Sequence, residues 1–206
     1  KESYPVLYAR IQEKVANGQF VPVGGTWVEP DCNIPSGESL VRQFLYGQRF
    51  FEQEFGQRCQ EFWNPDVFGY SGALPQILKL AGIRYFLTQK LSWNQFNKPA
   101  SHTFLWEGID GSRVLTHFPP ADTYNATACV KEILFNVSNF KDHERAKQSL
   151  MLFGFGDGGG GPTTAMLEQI QRMQDVDGLP QVEIRSPKDF FLRCEEDLQD
   201  PLVWSG

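Results

Sequence analysis

The sequence lacks an excess of positive charge and any long run of apolar residues. Nineteen lysines and arginines stand against 25 aspartates and glutamates among 206 residues, which gives a formal net charge of −6. Nucleic acids and anionic membranes are bound by clustered basic side chains, so we expect neither as a partner. No apolar run reaches the roughly 18 residues that a membrane-spanning helix needs.

Cysteine and histidine motifs are missing as well. The four cysteines lie far apart, without a C-x-x-C pair: Cys32, Cys59, Cys129 and Cys194. This spacing disfavours a zinc knuckle or a dithiol redox site, and a domain of this size needs no disulfide. We therefore expect reduced thiols in an intracellular protein. The three histidines also lack the spacing of metal ligands, and we expect structural or surface roles for them: His102, His117 and His143.

What the sequence does contain is an alternation of helical and extended patterns. Apolar residues at helical spacing predict helices over 4–17, 36–55, 75–82, 127–137, 142–149, 164–174 and 187–197. Short β-rich runs predict strands at 20–23, 61–63, 84–89, 103–107, 113–118, 151–155 and 181–184. Strands that alternate with helices are typical of an α/β fold with a mostly parallel sheet covered by helices.

Charged residues follow most of the predicted strands, where ligands bind in such folds. They are Glu29, Asp31, Asp66, Lys90, Asp122 and Asp157. Because parallel strands end at one shared edge, we expect these side chains to form a cluster. Asp66 follows Phe62-Trp63, and Pro65 and Phe68-Gly69-Tyr70 come before the next helix. Asp66 is thus placed too early for a simple helix cap.

Simpler roles stay open for several of these residues. Asp157 precedes four glycines and could be a turn former, although such a run also lets the backbone approach a ligand closely. The run lacks the Gly-Lys-Ser/Thr ending of a phosphate-binding loop. Lys90 and Asp122, each taken alone, read as solvated charges.

Two chemistries suit clustered carboxylates at such an edge. One is glycoside hydrolysis, in which a nucleophile and an acid about 5–5.5 Å apart give retention of configuration. The other is metal-assisted hydrolysis, in which a bound divalent ion polarises a substrate oxygen. The spacing of the residues does not choose between them.

Five ordered segments resemble glycoside hydrolase family 38, and within it the cytosolic α-mannosidase branch. They are GGTWVEPDCNIPSGESLVRQ, EFWNPDVFGYSGALPQI, FLTQKLSWN, FLWEGIDGSRVLTHFPPADTY and GFGDGGGGPT. The resemblance covers essentially the whole chain and implies a segment of an incomplete seven-stranded β/α barrel. It also implies a cytoplasmic enzyme that hydrolyses terminal α-linked mannose of oligosaccharides with retention, assisted by a divalent metal (zinc or cobalt).

The resemblance assigns roles to individual residues. Asp66 matches the aspartate that is both the nucleophile, which forms a covalent mannosyl-enzyme, and a metal ligand. Asp157 falls in the loop associated with the general acid/base, although this glycine-rich version differs from other branches of the family. The residues implied to contact the sugar or line its pocket are Lys90, Asp122, Trp27 and Tyr70.

The chain departs from the family pattern in its metal ligands. The family takes the others from an upstream His-x-Asp motif and a downstream histidine, and neither is present. We therefore expect residues 1–206 to be a partial α/β catalytic domain of a larger α-mannosidase, with flanking parts and downstream helical and β domains absent. The remaining ligands would lie outside this chain, and the isolated piece would be inactive. The parent could be a homo-oligomer.

Two rival functions remain open. A non-catalytic carbohydrate-binding or interaction module would use the aromatic side chains as a sugar platform. A metal-dependent carbohydrate deacetylase on a similar barrel would need several histidine ligands close to the aspartates, and the chain has only three histidines.

Overall fold

The computed structural model describes residues 1–206 and contains six α-helices around one five-stranded sheet. The helices are α1 (Pro5–Ala16), α2 (Gly37–Phe55), α3 (Leu74–Leu80), α4 (Val130–Asn139), α5 (Thr164–Arg172) and α6 (Pro187–Asp197). The strands are β1 (Glu61–Trp63), β2 (Tyr85–Leu87), β3 (Thr103–Glu107), β4 (Arg113–His117) and β5 (Val203–Ser205). A short 3-10 helix, Lys90–Trp93, follows β2. No helix combines the length and the apolar character that crossing a bilayer requires.

The sheet has the strand order β1-β2-β4-β3-β5. The pairs β1–β2, β2–β4 and β3–β5 are parallel, and only the β3–β4 hairpin is antiparallel. The prediction of a mostly parallel α/β sheet is therefore confirmed. Because β1, β2 and β4 lie side by side and run in the same direction, their carboxyl ends share one edge of the sheet.

Helices pack on both faces of the sheet, and successive strand residues alternate between the faces. Phe62 of β1 stacks on Phe86 of β2, with ring centroids 5.4 Å apart, and meets the edge of Phe44 from α2 at 5.1 Å. On the opposite face, Tyr85 of β2 stacks on Phe191 of α6 at 4.8 Å. These buried aromatic pairs fix the strands that carry the loops at the carboxyl edge.

Two of the predicted helix starts have the caps that their sequences indicate. The Ser36 hydroxyl accepts a hydrogen bond from the Ser39 amide at the start of α2. Ser186 does the same for the Asp189 amide at the start of α6, where proline occupies the first turn. Side-chain oxygens at these positions satisfy amides that would otherwise have no partner within the helix.

Three predicted strands do not form. Residues 20–23 and 181–184 lie outside any strand, and residues 151–155 make only isolated bridges, Ala126 with Phe153 and Phe155 with Gly161. Gly154, which lies between the two bridged positions, has a φ of +113°. This conformation turns the chain out of the extended path that a continuous ladder needs.

The predicted helix over 142–149 is a turn instead. The carboxylate of Asp142 accepts the amide hydrogens of His102 and Thr103 at 2.7 and 2.9 Å, and so it joins the start of β3 rather than capping a helix. Strand β5 was not predicted, because all three of its residues are exposed and its sequence shows no alternation.

Candidate active site

One polar side chain from the segment after each of three neighbouring parallel strands lies at the same point. Asp66 lies on the loop after β1, Lys90 begins the 3-10 helix after β2, and Tyr124 lies on the loop after β4. The Lys90 ammonium is 3.1 Å from Oδ1 of Asp66, and the Tyr124 hydroxyl donates to Oδ2 at 2.9 Å. Both oxygens of the Asp66 carboxylate therefore have a partner of complementary charge or polarity.

The backbone around Asp66 is held from two sides. The Pro65 carbonyl accepts hydrogen bonds from the amides of Gln89 and Lys90, both at 3.2 Å, so the Asp66 loop is tied to the 3-10 helix. The Asp66 amide donates to Oε1 of Glu29 at 3.1 Å. Glu29 is one of the acids that the sequence placed at this edge, and the structure uses it to orient the loop.

The Lys90 ammonium lies among aromatic rings. Its side chain is only 7% exposed, and Nζ is 3.7, 4.9 and 5.7 Å from the ring centroids of Trp93, Tyr124 and Phe68. Aromatic faces attract a cation at such distances. The rings and Asp66 together leave the positive charge little freedom to move, so Lys90 is a fixed counter-charge for the carboxylate.

Asp157 reaches the same group from the glycine-rich loop. Its Oδ1 is 3.5 Å from the Tyr124 hydroxyl, at the outer limit of a hydrogen bond. The Gly156 amide donates to the Asn125 side chain at 2.9 Å, which anchors the loop beside Tyr124. Asp157 has a φ of +50° and Gly158 a φ of +78°, a left-handed path that glycine adopts readily.

Tyr124 is the member of the site that sequence reasoning missed. Partial burial raises the pKa of its phenol, and the hydrogen bond to Asp66 and the charges of Asp66, Asp157 and Glu29 raise it further. The phenol is therefore protonated at neutral pH and acts as a donor to Asp66. Its signal in the sequence is its place in FPPADTY directly after β4, a segment in which the family resemblance points to Asp122 instead.

Two predicted site residues do not contact this group. For Asp122 this corrects the expectation of one shared cluster of charged side chains, while the predicted sugar contact of Asp122 and the predicted pocket-lining role of Trp27 stay predictions. The Asp122 carboxylate accepts a hydrogen bond from Asn139 at 3.3 Å and faces a separate small cavity. Only the Asp122 backbone carbonyl approaches the site, accepting from the Trp93 indole at 2.6 Å. Trp27 is 61% exposed and packs edge-on against Phe50 of α2 at 5.8 Å, rather than against Asp66.

Tyr70, the remaining predicted pocket residue, lies beneath the carboxyl edge. Its hydroxyl donates to the Asn64 carbonyl at 2.8 Å and is 2.6 Å from the Thr88 hydroxyl. Its ring meets the edge of Phe86 at 4.9 Å, and burial raises the pKa of its phenol. Tyr70 thereby fixes the backbone just before Asp66, and its predicted contact with substrate stays a prediction.

The residues of this chain do not fit a complete metal centre. Nowhere do three His, Cys, Asp or Glu side chains come together as ligands for one ion. Catalytic zinc sites generally use three protein ligands. Near Asp66 the only other acidic side chain with a bond to that residue is Glu29, and the Lys90 ammonium occupies Oδ1.

An α/β domain with a fixed carboxylate, a lysine and a tyrosine at adjoining strand ends has the layout of a ligand-binding or catalytic site. The family sequence model described as "Glycosyl hydrolases family 38 N-terminal domain" matches residues 1–206, and the chain belongs to this family. The resemblance predicted from the sequence is thereby confirmed.

Curated relatives match over the full chain. It is 59% identical to alpha-mannosidase 2C1 of Homo sapiens and 58% identical to alpha-mannosidase G of Dictyostelium discoideum, each over 206 residues. These residues are 20% and 19% of the two proteins, so the chain spans about a fifth of their length.

A solved structure has the same fold. The crystal structure of an alpha-mannosidase from Enterococcus faecalis V583 superimposes with a TM-score of 0.79 at 19% sequence identity. The match covers all of this chain and 24% of the other. At this level of identity the similarity shows the fold alone.

Proposed function

We propose that this chain is the part of an α-mannosidase that supplies the nucleophile for hydrolysis of terminal α-linked mannose with retention of configuration. Membership of family 38 and the two alpha-mannosidase relatives support the reaction class. The observation that carries the assignment is Asp66 itself. Its carboxylate is held at the carboxyl edge of the sheet between a lysine and a tyrosine, and about a third of its side chain is exposed.

In the first step, a carboxylate oxygen of Asp66 attacks the anomeric carbon of the mannoside. The bond from that carbon to the leaving oxygen breaks, and the leaving oxygen takes a proton from Asp157. In the second step, Asp157 accepts a proton from water, the water oxygen attacks the anomeric carbon, and the ester to Asp66 breaks. Two inversions at one carbon give net retention.

The positions of the two carboxylates are consistent with this division of roles. Asp66 and Asp157 both lie within hydrogen-bond reach of the Tyr124 hydroxyl. Retaining enzymes hold their two carboxyl groups about 5–5.5 Å apart, because the nucleophile attacks directly and no water needs room between them. Tyr124 and Lys90 would hold Asp66 in the orientation for attack, and Lys90 would also contact the sugar.

We further propose that Asp66 contributes one ligand to a divalent ion, zinc or cobalt, whose other ligands belong to the parent protein outside residues 1–206. The incomplete ligand set in this chain supports that division. The proposed substrate is a mannose-containing oligosaccharide, and the proposed location is the cytoplasm. Both follow from the resemblance to the cytosolic branch.

Replacing Asp66 in the full-length parent tests the assignment. Asp66→Ala and Asp66→Asn should abolish turnover of an aryl α-mannoside, whereas Asp177→Asn, at an exposed position far along the chain, should leave it near normal. Proton NMR of the first product should show the α anomer of mannose. Near-normal activity of either Asp66 variant, or the β anomer as first product, would refute the proposal.

A further inference from the structure

Residues 29–33 run beside the loop that carries Asp66 and have no role in the mechanism above. Cys32 pairs with Tyr70 in an isolated parallel bridge, and the Cys32 carbonyl accepts the Ser71 amide hydrogen at 3.2 Å. The two segments therefore lie next to each other and run in the same direction, although neither belongs to the five-stranded sheet. A group on one segment can fix the position of a group on the other.

Asn64 joins residues 29–33 to the end of β1. Its side chain is fully buried, and Nδ2 lies 3.3 Å from the Pro30 carbonyl, to which it donates, and 3.5 Å from Sγ of Cys32. Its Oδ1 accepts no hydrogen bond. Burying an oxygen without a partner is unfavourable, so stability alone does not favour an amide at this position. What an apolar side chain of similar size could not supply is the Nδ2 donor that holds residues 29–33 in place.

Glu29 is the residue of this segment that contacts Asp66. Its Oε1 accepts the Asp66 amide hydrogen at 3.1 Å, and hydrogen bonds from a backbone amide to a carboxylate are stronger than those to a neutral acceptor. Two carboxylates so close together repel each other, so an acid at position 29 carries an electrostatic cost. What it provides is a charged acceptor for the main chain of Asp66.

This contact differs in kind from the other two at Asp66. Lys90 and Tyr124 each bind one oxygen of the Asp66 carboxylate, whereas Glu29 binds the backbone amide of the same residue. The first two contacts fix the end of the side chain, and the third fixes the point from which the side chain starts. Asp66 is therefore held at three points by three separate parts of the chain.

We propose that Glu29 is a positioning residue for the reaction, which acts through the Asp66 amide, and that Asn64 holds the segment that carries Glu29. The inference rests on the proposed mannosidase function and adds a residue that aims its nucleophile. An attacking atom must lie about 3–3.5 Å from its target in the correct direction, and a displacement of about 1 Å can lower the rate roughly a hundredfold. Loss of the Glu29 contact should therefore lower kcat more than it changes KM.

The test uses two variants of the full-length parent with 4-nitrophenyl α-mannoside as substrate. Glu29→Ala removes the acceptor and should lower kcat roughly tenfold or more, with a smaller change in KM. Glu29→Gln keeps a side-chain carbonyl that can accept the Asp66 amide hydrogen, so it should restore most of the lost kcat. Because Glu29 is exposed, the unfolding temperature of Glu29→Ala should match that of the wild type.

A second substrate separates positioning from proton donation, since Glu29 is itself an acid beside the nucleophile. The leaving group of 2,4-dinitrophenyl α-mannoside departs without a proton, so loss of a general acid affects this substrate less. Loss of a residue that positions the nucleophile affects both aryl mannosides. We expect Glu29→Ala to lower kcat by a similar factor on the two substrates.

Glu144→Ala is the matched control, since Glu144 is an exposed acid outside the site, and it should keep the wild-type kcat. Four results would overturn the positioning role of Glu29. They are an unchanged kcat in Glu29→Ala, an equal loss in Glu29→Gln, a loss confined to the 4-nitrophenyl substrate, and a lower unfolding temperature that accompanies the loss.

The Asp66 variants show which proposal has failed. If Asp66→Ala is inactive while both Glu29 variants match the wild type, only the role of Glu29 is wrong. If Asp66→Ala keeps near-normal activity, the proposed function is wrong, and the positioning role falls with it.

Discussion

The hydroxyl of Tyr124 donates a 2.9 Å hydrogen bond to Oδ2 of Asp66, across 58 residues of sequence. The contact exists because β1 and β4 both flank β2 in the sheet, which brings the loops after them together. The same hydroxyl reaches Asp157 at 3.5 Å. Because the phenol has a single proton, the short bond to Asp66 is the one that positions a carboxylate, and Asp157 lies at the outer limit of reach.

Removing this hydroxyl should slow the proposed reaction. We expect Tyr124→Phe in the full-length parent to lower kcat on an aryl α-mannoside roughly tenfold or more, since a hydrogen bond to a charged group contributes about 1.5–3 kcal/mol. KM should change less, because the phenol positions Asp66 rather than the sugar. Tyr46→Phe, on the exposed side of α2, serves as the control. An unchanged kcat would show that Tyr124 does not position the nucleophile.

The chain of 206 residues by itself should not hydrolyse mannosides. Its side chains never bring three potential metal ligands together, whereas catalytic zinc sites generally use three. We expect no appreciable turnover of an aryl α-mannoside by the isolated chain with added zinc or cobalt, under conditions where the full-length parent is active. Metal-stimulated turnover by the isolated chain would contradict the proposed division of ligands.

The aromatic core beneath the site should dominate stability. Phe62 is fully buried between Phe44 and Phe86, and we expect Phe62→Ala to lower the free energy of unfolding by about 3–5 kcal/mol. Phe96 is 84% exposed, and Phe96→Ala should change the free energy of unfolding by less than about 0.5 kcal/mol. Equilibrium urea unfolding of the chain measures both. Similar losses in the two variants would show that this core is not packed as described.

Buried histidines should make folding sensitive to mild acid. Burial lowers the pKa of His102 to about 4 and that of His117 to about 3, whereas an unfolded histidine has a pKa of about 6.5. At a pH between the folded and the unfolded pKa, the unfolded chain binds more protons than the folded chain. The contribution of the two neutral histidines to the free energy of unfolding is therefore complete above pH 6.5 and is lost as pH falls. Glu61 acts in the opposite sense, because burial raises its pKa.

A histidine variant isolates the effect of one ring. As pH falls from 6.5 to 4, the free energy of unfolding should fall less steeply for His102→Gln than for the wild type. The two slopes should differ by up to about 1.4 kcal/mol per pH unit. Urea unfolding at a series of pH values gives the two slopes, and His143→Gln, at an exposed histidine, should keep the wild-type slope. Equal slopes for His102→Gln and the wild type would refute the lowered pKa of the buried His102.

Local sequence patterns were sufficient to predict those helices and strands that are stabilised by their own residues. The cap and proline of α6, the amphipathic α2 and the β3–β4 hairpin lie where the patterns indicate. The strand predicted over 151–155 does not form, because a β-rich composition is not enough when no neighbouring strand pairs with the segment. The helix predicted from Asp142 failed because that carboxylate bonds to distant amides instead.

The amino-acid sequence by itself determined the alternation of helices and strands, the acidic surface charge, the family, and the position of Asp66 just past a buried strand. Tertiary structure alone decided which of the edge residues meet. Pairing of β2 with both β1 and β4 places Lys90 and Tyr124 on the two oxygens of Asp66. A turn with φ of +53° directs the side chain of Asp122 into another cavity. Strand order and loop path depend on contacts between residues far apart in the chain, and no local pattern encodes them.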